Sequence, residues 1–342
     1  MTKEQSSRIR IIGFLMAFEV VMYHAGNGAI PRINDFDARV YTSLSGLFNF
    51  ILAQLAMCWY YTITAFLLFY HLTPKSFIPK LKRRFVTLLL PYVIWQVICI
   101  PFSPPASWKS FIKTVFLLQL WPPDAPLWYV YAIFLLAFLS PLLWILLRGR
   151  KTGAIAAFIL AFGAHILLQN KGEMLFNNRS LVNLGNILTY MPAYIFGAYF
   201  GLHGDDGEHE QLKYAVLILI AALLINPFYD GLFFTFARQL LPVLMLYLCP
   251  VSERFANSPL VGLTFLFYTM HSIFVGDVAD AARGLMMKIT PYAWVTSLVG
   301  RLSTIPAVIL AAWAFWRILS AVSPKLLSIL TGGRVKPYTA KS

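Results

Sequence analysis

Apolar residues fall into long blocks along this chain, separated by short polar stretches. A helix needs about 20 apolar residues to cross a bilayer. Ten blocks are long enough, at approximately 9–27, 47–70, 85–103, 127–147, 153–169, 182–202, 213–227, 231–250, 258–276 and 294–319. Only Asn226 to Asp230 separates the seventh from the eighth. The pattern predicts an all-α, polytopic membrane protein: about ten transmembrane helices in one bundle, forming a single membrane domain over 1–342. The longest exterior connection, 104–126, is punctuated by Pro104, Pro105, Pro122, Pro123 and Pro126. Its middle, SWKSFIKTVFLLQLW, has apolar residues at helical spacing, which predicts a short helix on the membrane surface. No internal repeat and no low-complexity tract interrupts this frame.

An even number of spans puts both termini on one side, and Lys/Arg bias decides which. The N-terminus, the loops around 71–84, 148–152, 203–213 and 251–257, and the region from Arg317 hold 18 Lys/Arg. The opposite loops, around 28–46, 104–126, 170–181, 228–230 and 277–293, hold 8. Both termini are therefore expected in the cytoplasm. Arg238 and Arg301 lie within apolar blocks.

Composition narrows the class. The chain is 59% hydrophobic and 12% charged, with mean hydropathy +0.68, which excludes an ordinary soluble domain. A net charge of +14 would suggest nucleic acid in a soluble protein. Here it marks cytoplasmic loops and contact with anionic lipid, with no nucleic-acid partner. Cys58, Cys99 and Cys249 are odd in number and widely spaced, so neither a disulfide framework nor a metal motif is expected. Lys3, Arg8 and Arg10 ahead of the first block could form the start of a cleaved signal. Glu19 within the block and His24 at its end argue for a retained span instead.

Ionisable residues inside a membrane are costly and are functional candidates by default. His24 lies roughly 20 Å along a helix from Arg10, at ~1.5 Å per residue, in the outer half of the membrane. A structural role, hydrogen-bonded to a neighbouring helix, explains it as readily as a catalytic one. His271, in LTFLFYTMHSIF, also falls in the outer half of its span. Tyr268 lies on the same helical face, three residues earlier. A helix-to-helix hydrogen bond would account for that pair too. His71, His165, His203 and His209 sit at span ends or in loops, where a structural role is favoured. The basic run KLKRRFVTLLLPY, from Lys80 to Tyr92, has four basic residues in its first five. As a topology anchor it needs no ligand; as a site it would suit an anionic, phosphorylated cofactor such as acyl-CoA. Glu19, near mid-membrane, is on a different helical face from His24; a tyrosine or an arginine such as Arg238 or Arg301 is its expected partner.

Five stretches, in order, resemble the acyltransferase 3 family of integral membrane acyltransferases. RIIGFLMAFEVVMYHAG is similar to the family's first helix, which ends in a histidine. CWYYTITAFLLFYHL, KRRFVTLLLPYVIW, PLWYVYAIFLLAFLSPLL and LVGLTFLFYTMHSIF resemble its aromatic second helix, its Arg-rich turn before Leu-Leu-Pro-Tyr, its Leu-Trp-Phe-Leu opening and its late Tyr-x-x-His helix. The match spans nearly the whole chain. Two positions depart from it. The family commonly has an arginine eleven residues before the first-helix histidine, where this chain has Gly13. Arg10, close to one turn earlier, could reach the same region by snorkelling. The family's Ser-Gly is Thr64-Ala65 here.

The resemblance implies transfer of an acyl group, usually acetyl, from cytoplasmic acetyl-CoA or another acyl-CoA to a hydroxyl. The acceptor it implies is a sugar of a surface or exported polysaccharide, or a lipid-linked glycan. It implies a bacterial inner-membrane, multi-pass location and an association with polysaccharide assembly proteins. It assigns His24 as the base, and Tyr268 and His271 as groups orienting the acceptor or the thioester. It assigns Lys82, Arg83 and Arg84, with Arg10, to the donor. No metal is expected. A transporter or flippase for a lipid-linked or anionic solute is the rival class, but the repeat many transporters carry is missing. A non-catalytic partner in a polysaccharide assembly complex is a third reading.

Overall fold

The computed structural model describes residues 1–26, 30–116, 123–177, 182–204 and 238–338. Every regular element among them is helical, and no strand occurs. Helix α1 spans Lys3–His24. It is followed by α2 (Asp35–Gly46), a π-helical turn at Leu47–Leu52 and α3 (Ala53–Phe69), which together make one helix. Next come α4 (Phe77–Arg84), a second π-helical turn at Phe85–Leu89 and α5 (Leu90–Cys99). Then follow α6 (Trp108–Phe116), α7 (Trp128–Ala137), α8 (Ser140–Leu147), α9 (Arg150–Asn177) and α10 (Val182–His203). Toward the C-terminus come α11 (Leu241–Leu248), α12 (Thr264–Met286), α13 (Ala293–Val322) and α14 (Pro324–Thr331), with two single-turn helices at Glu253–Ala256 and Pro259–Gly262 between α11 and α12.

Among the described residues, three helices are long and apolar enough to cross a membrane: Asp35–Phe69, Arg150–Leu168 and Ala293–Val322. A fourth follows if Ala125–Ala137 and Ser140–Leu147, bent by 61°, count as one broken span. Pro141, in the first turn of α8, has no N–H to continue the ladder and explains the break. Helix α1 has the length but carries Arg8, Arg10 and Glu19. From Ile11 to Met22 it is buried on nearly every side, with Leu15 the exposed exception. A helix covered all round is an interior one. The expected span at 213–227 lies outside the described residues, as does the first part of 231–250. A short helix, as expected in the connection 104–126, is present as α6, with Trp108 and Ile112 exposed and Phe111 and Val115 buried.

The chain divides into two compact units. The first holds Met1–Ile9 and Met57–Ser252. Within it, α3 and α10 pack nearly backbone to backbone. A Cβ added at Gly197 would lie 2.2 Å from the Thr62 carbonyl oxygen, and one at Gly201 would lie 2.6 Å from that of Phe66. Thr62 Oγ1 donates to the Ala193 carbonyl at 3.1 Å along the same seam. Ala193, Gly197 and Gly201 thus form a small-residue stripe at four-residue spacing, the device that brings membrane helices closest together.

The second unit holds Arg10–Ala56 and Glu253–Ser342, with α12 packed along α13. The first turn of α2 is fastened to the start of α13. Asp37, fully buried, accepts from Ile33 N at 3.1 Å and from Trp294 N at 3.3 Å. Asn34 caps α2 by accepting from Asp37 N at 2.9 Å. Ile30, Tyr41 and Ala293 pack together beneath this polar clasp.

Candidate active site

In the second unit, α1 and α12 are matched ring by ring. Phe14 meets Phe267 at 5.9 Å between centroids, and also Phe255, in the short helix Glu253–Ala256 ahead of α12, at 5.7 Å. Phe18 stacks on Phe267 at 5.5 Å. Further along, the His24 and His271 rings lie 5.2 Å apart. The contacts climb both helices in step, so the two run side by side in the same direction. Two histidines 247 positions apart in the sequence are thereby brought into one place. Tyr23 and Tyr268 complete it, their rings 5.0 Å from His24 and 5.8 Å from His271.

The two imidazoles sit differently. His271 is fully buried, whereas His24 is exposed. His271 Nδ1 lies 2.7 Å from the Tyr268 carbonyl oxygen. A carbonyl only accepts, so Nδ1 carries the proton and the neutral ring keeps its lone pair on Nε2. Nε2 has no hydrogen-bond partner among the described residues. The pair therefore sets a buried imidazole of fixed tautomer, its Nε2 unbonded among the described residues, beside an exposed one.

Two arginines surround this place. Arg301, fully buried on α13, donates from Nη1 to the Met22 carbonyl at 2.6 Å and from Nη2 to Asn49 Oδ1 at 3.2 Å. Arg283, 5% exposed on α12, donates from Nη1 to the carbonyls of Ala25 at 2.9 Å and Gly26 at 3.2 Å. It also pairs with Asp280. From the sequence, Arg301 is expected as a charge within a span and a candidate partner for Glu19, and Arg283 falls in an exterior loop. The structure corrects the latter: α12 continues to Met286, and His271, Val275, Ala279 and Arg283 form its buried stripe at four-residue intervals. The expected partnership of Arg301 with Glu19 is not formed. Glu19 Oε2 is buried with no hydrogen bond among the described residues.

Arg10 lies at the other end of α1 from His24, exposed, donating to Asn257 Oδ1 at 2.6 Å. The remaining cations assigned to the donor belong to the first unit. Lys82 and Arg83 are exposed at the end of α4. Arg84 turns inward and donates to the Thr64 carbonyl at 2.8 Å. Lys80 Nζ bonds the carbonyls of Leu68 and Tyr70, at 2.8 and 2.6 Å, closing the end of α3. The run thus divides between cations bound to α3 and cations free to meet a ligand or lipid. Beside Lys82 a hollow of about 310 Å³ is lined by Ile78, Leu81, Phe85, Phe134 and Phe138. His203 Nε2 is 2.8 Å from the Leu147 carbonyl, in keeping with a structural role. Among the described residues no three His, Cys, Asp or Glu side chains are grouped to hold a metal.

All-helical described residues, apolar helices of membrane-crossing length and a paired imidazole site point to a helical membrane protein with candidate acid–base groups. The model of the acyltransferase 3 family, described as an acyltransferase domain, matches residues 9–317. The chain belongs to that family and is a membrane acyltransferase. No curated protein and no solved structure matches it.

Proposed function

We propose that the protein transfers an acyl group, such as acetyl, from a cytoplasmic acyl-CoA to a hydroxyl of a cell-surface or exported polysaccharide or a lipid-linked glycan, across a multi-pass inner-membrane fold with both termini in the cytoplasm. The single observation that carries the reading is the meeting of His24 and His271 at 5.2 Å in a chain of this family. A hydroxyl is a poor nucleophile until a base takes its proton, and a neutral imidazole does this near neutral pH. His24, the accessible member, removes the hydroxyl proton while the acceptor oxygen bonds to the acyl carbon. The carbon–sulfur bond then breaks, and the departing thiolate recovers a proton from the imidazolium. His271 and Tyr268 orient the acceptor or the thioester, His271 acting beside the exposed His24. Lys82 and Arg83 hold donor phosphates at the cytoplasmic face, where exposed cations border an apolar hollow. Arg84 supports that site through its bond to Thr64, and Arg10 serves as a further cytoplasmic cation. Polysaccharide assembly proteins would be the partners that deliver the acceptor.

The test is acyl-CoA-dependent labelling of an isolated glycan by the purified protein. Label appearing in the glycan only when both protein and acyl-CoA are present is the expected result. Transport of a lipid-linked solute without any acylated product would overturn the reading in favour of a flippase.

A further inference from the structure

Helix α1 ends at His24, and the last carbonyls of any helix lack partners within it. In a membrane each must be met by something else. Ala25 N donates to the Val21 carbonyl at 3.0 Å, and Gly26 N to that of Tyr23 at 3.2 Å. Gly26, at φ +69°, turns the chain out of the helix. The Met22 carbonyl is met by Arg301, and those of Ala25 and Gly26 by Arg283. The two guanidiniums therefore grip the backbone on both sides of His24. Each is anchored in turn. Arg301 is tied to Asn49 and lies 5.1 Å from the centre of the Phe48 ring, while Arg283 is paired with Asp280. Gly300 leaves room for the grip, because a Cβ there would lie 2.7 Å from Arg283 Cγ. Cations at a helix C-terminus also suit the negative end of its dipole.

We infer that Arg283 and Arg301 are positioning residues for His24, fixing the last turn of α1 and hence the angle and distance at which its imidazole faces His271. The inference rests on the acyl-transfer reading of that pair. A cap that merely stabilises α1 would affect folding alone, whereas a positioning role acts through His24.

The full-chain protein, purified in detergent, separates the two. Arg301→Met and Arg301→Lys, and Arg283→Met, are each measured in the wild-type and His24→Ala backgrounds for kcat, KM for acyl-CoA, and folded yield. A misplacement of about 1 Å can cost on the order of 100-fold in rate. The expected result for Arg301→Met is kcat lower by roughly 10- to 100-fold, with donor KM held within about twofold. Lys, which can still donate to Met22, recovers part of the loss. In the His24→Ala background the same substitution costs nothing further, since residues acting as a unit are non-additive. An equal fold-loss in both backgrounds, or a loss confined to yield or donor KM, overturns the inference. If Arg301→Met does not fold, Arg301→Lys decides by the same split, and unchanged kcat overturns it. A second readout needs no activity: the rate at which diethyl pyrocarbonate modifies His24, followed by peptide mass spectrometry. A several-fold change in that rate in the arginine variants supports the inference, and an unchanged rate refutes it. This holds even if wild-type protein transfers no acyl group, a result that would overturn the functional reading instead.

Discussion

Arg83 and Arg84 are adjacent and chemically identical, yet the structure gives them different work. Arg84 points inward and donates to the Thr64 carbonyl at 2.8 Å, while Arg83 is exposed. Arg84→Gln removes a charge-assisted hydrogen bond worth about 1.5 kcal/mol, the low end of the range for charged groups. The low end applies because Thr64 lies within α3, where its carbonyl also has a helical acceptor role. Arg84→Gln should therefore lower thermal stability by a few degrees. Arg83→Gln removes no hydrogen bond or ion pair among the described residues and should leave stability nearly untouched. If Arg83 meets a donor phosphate, its loss should raise the KM for acyl-CoA roughly tenfold with kcat unchanged, the signature of lost ground-state binding. The assay is acyl transfer with varied acyl-CoA, alongside a melting curve for each variant. The reasoning fails if Arg83→Gln leaves KM unchanged, or if Arg84→Gln raises KM at full stability. Normal kinetics in both, with reduced membrane insertion, would make the run a topology anchor.

Two further outcomes follow from the same structure. Reporter fusions at the C-terminus and in the loop 148–152 should both read as cytoplasmic, from the Lys/Arg bias of 18 to 8; a periplasmic signal at either breaks the proposed topology. Gly197→Leu should sharply reduce folded protein, since even a Cβ there would sit 2.2 Å from the Thr62 carbonyl, and overpacking costs about 1–3 kcal/mol or more; normal yield and melting would show that the α3–α10 seam is looser than described.

The helical class was legible because hydropathy alone reports it: the block at 294–319 became α13 at Ala293–Val322, and that at 182–202 became α10 at Val182–His203. The meeting of His24 with Tyr268 and His271 was suggested only by the family resemblance, because spacing along a chain does not say which helices pack together. Arg283 was missed for a definite reason. Asp277, Asp280 and Arg283 lower the local hydropathy, so the span appeared to stop near residue 276, whereas α12 runs on to Met286 with Arg283 on its buried stripe. A four-residue periodicity from His271 through Val275 and Ala279 was the signal that could have found it. The π-helical turns at Leu47–Leu52 and Phe85–Leu89 leave hydropathy unchanged and had no signal in the sequence. The different fates of Arg83 and Arg84 depend on side-chain direction, which a run of like residues does not reveal.

The central claim is that His24 acts as the base in acyl transfer, and its most direct test compares His24→Ala and His24→Gln in purified, inserted protein. The account predicts that Ala lowers transfer from acyl-CoA to the glycan by roughly 100-fold or more, the usual weight of a general base, with the fold intact. An amide can keep a hydrogen bond but cannot take a proton, so Gln should be nearly as inactive as Ala. A Gln variant that retains most of the activity while Ala loses stability would contradict the claim and move the base to His271.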